Sequence, residues 1–241
     1  MTDRRRFLEL SAAALAGIAL APGIRLIQVA AARPLDAPAS GKVRWGLLID
    51  TSRCGDDCDA CLSACRKENH LPQGELRRTD AQWIRKVAVK DMRSGSARQV
   101  PMMCQHCAKP PCVDVCPTGA SFKRADGIVL VDRHICIGCR YCMMACPYKA
   151  RSFVHEPTTG QNPEVPRGQG CVEGCHLCVH RIDRNELPAC VEACAATGRK
   201  AMLFGDLNDP AAEIAQRIAQ VATAQVRADL RLDPGVRYQG L

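Results

Sequence analysis

Aromatic side chains are scarce in this chain of 241 residues: two Trp, three Tyr and four Phe. Little large apolar surface is therefore available to fill a core. No run of 18 or more apolar residues appears, so an ordinary membrane-spanning helix is not expected. The G-x-G-x-x-G turn, the phosphate-binding loop and the G-x-S-x-G elbow are all missing. Dinucleotide binding, nucleotide hydrolysis and esterase-type catalysis thus lose their usual signatures. The formal net charge is +8. Its Lys and Arg residues are scattered, with no basic block interleaved with aromatics, so no nucleic-acid partner is expected.

Cysteine is what the chain has instead, 17 in all. The odd number means that disulfides alone would leave one thiol over. Sixteen fall into four groups. The first is Cys54, Cys58, Cys61 and Cys65, in CGDDCDACLSAC. The second is Cys104, Cys107, Cys112 and Cys116, in CQHCAKPPCVDVCP. The third is Cys136, Cys139, Cys142 and Cys146, in CIGCRYCMMACP. The fourth is Cys175, Cys178, Cys190 and Cys194, in CHLCVHRIDRNELPACVEAC. Cys171 is left over and reads as a free buried thiol, with alternative ligation as the rival reading.

The third group is the most specific. It reads C-x2-C-x2-C-x3-C-P, the run of bacterial two-cluster ferredoxins. Three closely spaced thiolates on a tight loop can grip three corners of one cuboidal cluster. Gly138 lets the backbone fold closely. The fourth cysteine leaves on a short helix toward a second cluster, and Pro147 ends the run. That geometry demands a partner motif, which the second group supplies.

Reciprocal pairing follows. One cluster takes Cys136, Cys139 and Cys142 with Cys116; another takes Cys104, Cys107 and Cys112 with Cys146. By the same logic, Cys54, Cys58 and Cys61 join Cys194, and Cys175, Cys178 and Cys190 join Cys65. Sixteen ligands then make four [4Fe–4S] clusters. The outer pairing is less regular: three residues separate Cys54 from Cys58, and Ala195 follows Cys194 where Pro would be usual. An oxidised cluster with four cysteinates carries about −2, so four would offset the formal positive charge. Zinc or disulfides in an exported scaffold are the readings from another class. Zinc wants separated cysteine pairs, which the second group alone could offer. No residue is expected to be catalytic, because complete four-cysteine ligation leaves no open metal position.

The N-terminus reads as an address. Arg4-Arg5-Arg6-Phe7-Leu8 precedes an apolar stretch from Leu10 to Leu20, and Ala30-Ala31-Ala32 offers a cleavage site. This is the layout of an export signal, and the paired arginines look like a twin-arginine signal. Asp3 and Glu9 depart from that pattern. The mature chain is then expected to begin near Ala32 or Arg33, in the periplasm at the outer face of the cytoplasmic membrane.

The fold class expected is α+β: two interleaved two-cluster ferredoxin-like modules with short β-hairpins and long cluster-binding loops. Residues 1–32 are the signal, 33–100 the first half of the outer module and 101–156 the central module. Residues 157–207 are the second half of the outer module, and 208–241 a C-terminal helix and tail. Strands are expected within 41–50, 83–89 and 201–205, and Ser94, Gly95 and Ser96 mark a turn or loop. A hairpin is expected over 120–132, turning at Asp126-Gly127. Residues 157–170 read as a surface loop. Asp209 reads as an N-cap and Pro210 as the first helical position, with Ile214, Ile218 and Val221 at helical spacing. His106, His176 and His180 sit beside cluster cysteines and read as packing and hydrogen-bonding groups. Tyr141 and Met143 are expected to pack over the cluster of the third group.

Together, CQHCAKPPCVDVCPTGA, CIGCRYCMMACPY and HRIDRNELPACVEAC resemble the four-cluster electron-transfer subunits of membrane-associated oxidoreductases. That family includes beta subunits of molybdopterin reductases, of formate dehydrogenase and of periplasmic hydrogenase, and the ferredoxin of nitrite reduction. The resemblance covers residues 43–207. The diverged first motif and short length look most like the periplasmic iron–sulfur subunit of Dsr transmembrane complexes in sulfur metabolism. It implies electron relay rather than catalysis, and an NrfD-type integral membrane, quinone-interacting partner. In the Dsr case it also implies a periplasmic multihaem cytochrome. Membrane association would come through partners.

Overall fold

Strand β1, Trp45–Asp50, occupies the middle of a four-stranded sheet. Its Leu47, Leu48 and Ile49 are all buried, the run expected of a strand covered on both faces. The computed structural model describes residues 38–90, 92, 95 and 97–241. The export signal expected over 1–32 therefore lies outside the described residues, as do Ser94 and Ser96 of the expected turn.

The architecture is mixed α+β. Strands β2, Arg85–Lys90, and β3, Ala97–Met102, form one antiparallel pair. Strands β4, Ser121–Lys123, and β5, Val129–Val131, form a second around Gly127, at φ +89°. This is the hairpin anticipated at Asp126-Gly127. Strands β6, Ser152–Phe153, and β7, Val172–Glu173, form a third short pair. The segment between them, including residues 157–170, has neither helix nor strand.

Strand β8, Met202–Asp206, pairs antiparallel with β1, so the two flanks of the chain meet edge to edge. Trp45 stacks on Phe204 across that pair, with ring centroids 5.1 Å apart. Helix α1, Ala60–Glu68, packs against α5, Ala189–Ala196. Between them in sequence come three one-turn helices: α2, Pro111–Asp114; α3, Tyr141–Ala145; and α4, Val179–Ile182.

The C-terminal segment departs from the expected helix and tail. Helix α6 covers Glu213–Gln220 and begins three residues later than Pro210. Asp209 instead closes a turn, its Oδ1 accepting from the Ala211 amide at 2.8 Å. Ile214 is buried beside Gly205 of β8, while Val221 already lies outside the helix in extended conformation. The chain then returns as β9, Thr223–Ala224, and β10, Val236–Gln239; β10 pairs parallel with β1. Val236 and Tyr238 are buried while Arg237 and Gln239 are half-exposed. This two-residue alternation marks a half-buried strand, and it turns the expected tail into a central structural element.

Candidate metal centres

The helices hold cysteines four residues apart, which places them on one face about 6 Å apart along the axis. On α1 these are Cys61 and Cys65; on α5 they are Cys190 and Cys194. The two members of each pair serve different sites. Cys54, Cys58, Cys61 and Cys194 wall one apolar space, called site 1 here. The Cys65 thiol is surrounded by those of Cys175, Cys190 and Cys178, forming site 2. Each helix thus gives one thiol to each site, in opposite order along the chain.

The same exchange occurs around the one-turn helices. Cys104, Cys107, Cys112 and Cys146 wall site 3. Cys116, Cys136, Cys139 and Cys142 wall site 4. The structure therefore brings together each of the four sets read from spacing. The sites also follow one another. Cys61 of site 1 lies near enough to Cys190 of site 2 to raise its thiol, and Cys104 of site 3 does the same to Cys175. Cys112 of site 3 likewise acts on Cys142 of site 4. The order is 1-2-3-4.

Exposure differs between the ends and the middle. Every thiol of sites 2 and 3 belongs to a buried residue, whereas Cys54, Cys58, Cys116 and Cys136 are half-buried and Cys139 is exposed. Exposed Ile137, Tyr141 and Met144 surround Cys139 in sequence. Tyr141, expected to pack over the cluster, is instead 55% exposed; Met143 packs against the core.

Burial pushes the Cys54 thiol up to about 11 and that of Cys61 up to about 12, with repulsion from Cys194 next in size. Burial likewise pushes Cys104 and Cys107 up to about 12. Cys116 goes the other way: burial raises it, but hydrogen bonds from the Ser121 amide and from Thr118 outweigh that and lower it. Without metal the raised thiols, Cys54, Cys61, Cys104 and Cys107 among them, stay protonated at neutral pH. Metal binding must release those protons and remove the repulsion between thiolates.

The donor chemistry fits iron–sulfur clusters. All four sets are purely thiol. Backbone amides point at sulfur: Ser121 to Cys116 at 3.3 Å, and Ala150 to Cys146, Val172 to Cys136 and Leu177 to Cys175 at 3.5 Å each. Such donors favour the thiolate and tune cluster potential. Among the described residues, no group of three or more His, Cys, Asp or Glu side chains is placed to hold a single metal ion. A tetrahedral zinc with bonds of about 2.3 Å would need its sulfurs about 3.8 Å apart. All seventeen cysteines are free thiols in the structure. Cys171 is buried and donates to the Arg133 carbonyl at 3.3 Å.

The three histidines pack and hydrogen-bond. His106 Nδ1 accepts from the Val129 amide at 3.0 Å, and His176 Nδ1 from the Val179 amide at 3.2 Å. Burial pushes both rings down to about 3, so both are neutral at physiological pH. His176 also meets Trp83 edge-on, and His180 Nε2 bonds Glu68 at 2.7 Å. Sequence reasoning missed Asn69, whose Nδ2 lies 3.7 Å from Cys65 Sγ, and Arg151, whose guanidinium reaches Cys112 Sγ at 3.3 Å. Neither has a signature, because a lone Asn or Arg after a cysteine motif fits any polar surface equally well.

Residues 96–207 match the 4Fe-4S dicluster domain family. The chain is 43% identical to the Hdr-like menaquinol oxidoreductase iron-sulfur subunit 1 of Archaeoglobus fulgidus, over all of this chain and 99% of that one. It is 36% identical to the B subunit of tetrathionate reductase from Salmonella typhimurium, over all of this chain and 89% of the relative. Protein NrfC of Escherichia coli is 40% identical over 80% of this chain and 78% of its own. Thiol sets, sulfur-directed amides and these similarities define a ferredoxin-type iron–sulfur protein. The chain belongs to the family of iron–sulfur electron-transfer subunits of oxidoreductase complexes, in which catalysis lies in other subunits.

Proposed function

We propose that the sixteen cysteines hold four [4Fe–4S] clusters at sites 1 to 4, and that the chain relays single electrons along that order. The observation that carries this reading is the exchange of cysteines between paired segments, which completes four thiol sets in one linear succession. When bound, each cluster supplies one-electron chemistry. The chain's residues hold the clusters in order, shield sites 2 and 3 from water, and aim amides at sulfur. Sites 3 and 4 form a continuous central module, and sites 1 and 2 an outer module built from both flanks. The pairing of β1 with β8 and the packing of α1 on α5 support that interleaving.

The partner in this reading is an NrfD-type, quinone-interacting membrane protein. The whole-length similarity to an iron–sulfur subunit named for menaquinol oxidation supports it. No helix among the described residues is long and apolar enough to cross a membrane, so the partner would supply the anchorage. The arginine pair at Arg4-Arg5 supports export by the twin-arginine route to the periplasmic face. The finer assignment is to a Dsr-type complex of sulfur metabolism with a multihaem cytochrome. A beta subunit serving a molybdopterin reductase is the second reading, favoured by the whole-length similarity to a tetrathionate reductase component.

Purification from native membranes in mild detergent, with iron analysis and mass spectrometry, tests these statements. About sixteen irons per chain, a quinone-interacting membrane protein, and haem without molybdopterin are expected. A large molybdopterin subunit in the eluate would move the assignment to the second reading. Zinc in place of iron would overturn both.

A further inference from the structure

Arg151 is 7% exposed, yet no Asp or Glu forms an ion pair with it among the described residues. Its Nη2 donates to Cys112 Sγ at 3.3 Å and to Ser121 Oγ at 2.9 Å. Ser121 is itself buried, at 2%. Thiols of two sites act most strongly on the guanidinium: Cys112 and Cys104 of site 3, and Cys142 of site 4. A Cβ at Gly174 would come within 3.4 Å of Arg151 Cδ and 2.8 Å of the Ala150 carbonyl.

A buried guanidinium with no counter-ion carries a large desolvation cost. The chain tolerates this one because negative charge is supplied by something other than a carboxylate. We infer that Arg151 is the shared counter-ion of the clusters at sites 3 and 4, and that it raises their reduction potentials, that of site 3 most. This rests on the four-cluster reading above. Reduction adds one negative charge to a cluster, so a fixed cation beside it stabilises the reduced form more than the oxidised one. The hydrogen bond to Cys112 acts in the same direction, because donors to sulfur favour the more negative state. Site 3 receives both effects and site 4 mainly the charge. Arg151 is a positioning and potential-setting residue; it is not an electron carrier.

The test is a dithionite titration of the purified full chain or its native complex, followed by electron paramagnetic resonance, in wild type, Arg151→Gln and Arg151→Lys. Arg151→Gln is expected to lower the equilibrium constant for reducing the site 3 cluster about tenfold, which is about 59 mV for a one-electron couple. One unit charge within hydrogen-bond reach, at an effective dielectric constant of about 20, suffices for that. Site 4 should shift less and in the same direction, while sites 1 and 2 stay put. Arg151→Lys keeps the charge and should restore most of the shift. If Arg151→Gln loses clusters, Arg151→Lys must keep them at near wild-type potential.

Unchanged potentials at sites 3 and 4 in Arg151→Gln, with all cluster signals intact, would overturn the inference. So would loss of clusters in both variants, which would make the role one of shape rather than charge. Wild-type protein without iron–sulfur signals would defeat the four-cluster reading itself, and iron analysis separates that case from the others.

Discussion

The hydroxyl of Tyr238 donates to the carbonyl of Pro101 at 3.1 Å and receives the Gln105 side-chain amide at 3.2 Å. One residue of the last strand thus clamps β3 and the first turn of the Cys104 loop. Tyr238 is fully buried, so each of these bonds is shielded from water. Strand β10 is thereby tied to the Cys104 loop, more than a hundred residues earlier in sequence.

Tyr238→Phe removes both bonds, costing the buried Pro101 carbonyl a donor and the Gln105 amide one of its acceptors, while its bond to the Met103 carbonyl at 3.0 Å remains. A stability loss of about 1–3 kcal/mol is expected. Denaturant unfolding of the iron-loaded protein should show the midpoint falling with the slope unchanged. An unaltered midpoint would mean that the clamp carries no stability.

Gly138 sits at φ +69°, and a Cβ there would lie 2.2 Å from the Gly170 carbonyl oxygen and 3.1 Å from the Phe153 ring. The obstacle is mainly backbone, so it cannot swing away. The left-handed conformation alone costs a non-glycine residue about 1–3 kcal/mol. Gly138→Ala should therefore lose the cluster at site 4 first. Iron per chain should fall by about one quarter, with the other three signals retained.

Cross-ligation makes a spectroscopic prediction. Cys146→Ala should perturb the same resonance as Cys104→Ala, and Cys116→Ala the same one as Cys139→Ala. Ligation within each motif would instead group Cys146 with Cys139. Redox titration of the four single variants separates the two patterns.

Removing the metal should unfold the chain. Many buried residues of the core are cluster-site cysteines, and their thiols repel one another when ionised. Metal binding energy is folding energy in such a protein. Iron chelation under reducing conditions should abolish most of the far-ultraviolet circular dichroism. A native-like spectrum in the iron-free chain would show that the polypeptide folds on its own contacts.

Much of the site was legible in the order of residues alone, because cluster ligation writes itself into spacing. C-x2-C-x2-C-x3-C-P leaves little freedom in how three thiols converge and the fourth departs. The turn at Asp126-Gly127 and the apolar run before Cys54 were legible for similarly local reasons. The C-terminal region was not. Asp209-Pro210 has the composition of a helix start, but the chain first makes a turn there, and Ile214 then packs beside Gly205 of β8. The alternation Val236-Arg237-Tyr238-Gln239 was visible in the sequence, yet too short to distinguish a strand from a tail without a partner strand.

The sequence by itself determined how the cysteines group and that the chain is of the iron–sulfur class, since thiol number and spacing are local properties of the chain. Only the tertiary structure decided which sites adjoin, which thiols are exposed, and what neutralises them. Those outcomes depend on contacts between distant segments: β1 with β8 and β10, α1 with α5, and Arg151 with Cys112. A buried arginine beside a cysteine loop has no sequence signature. Its inferred role comes from low-dielectric surroundings in which a cation must find negative charge, and the sulfur it reaches here is that of Cys112.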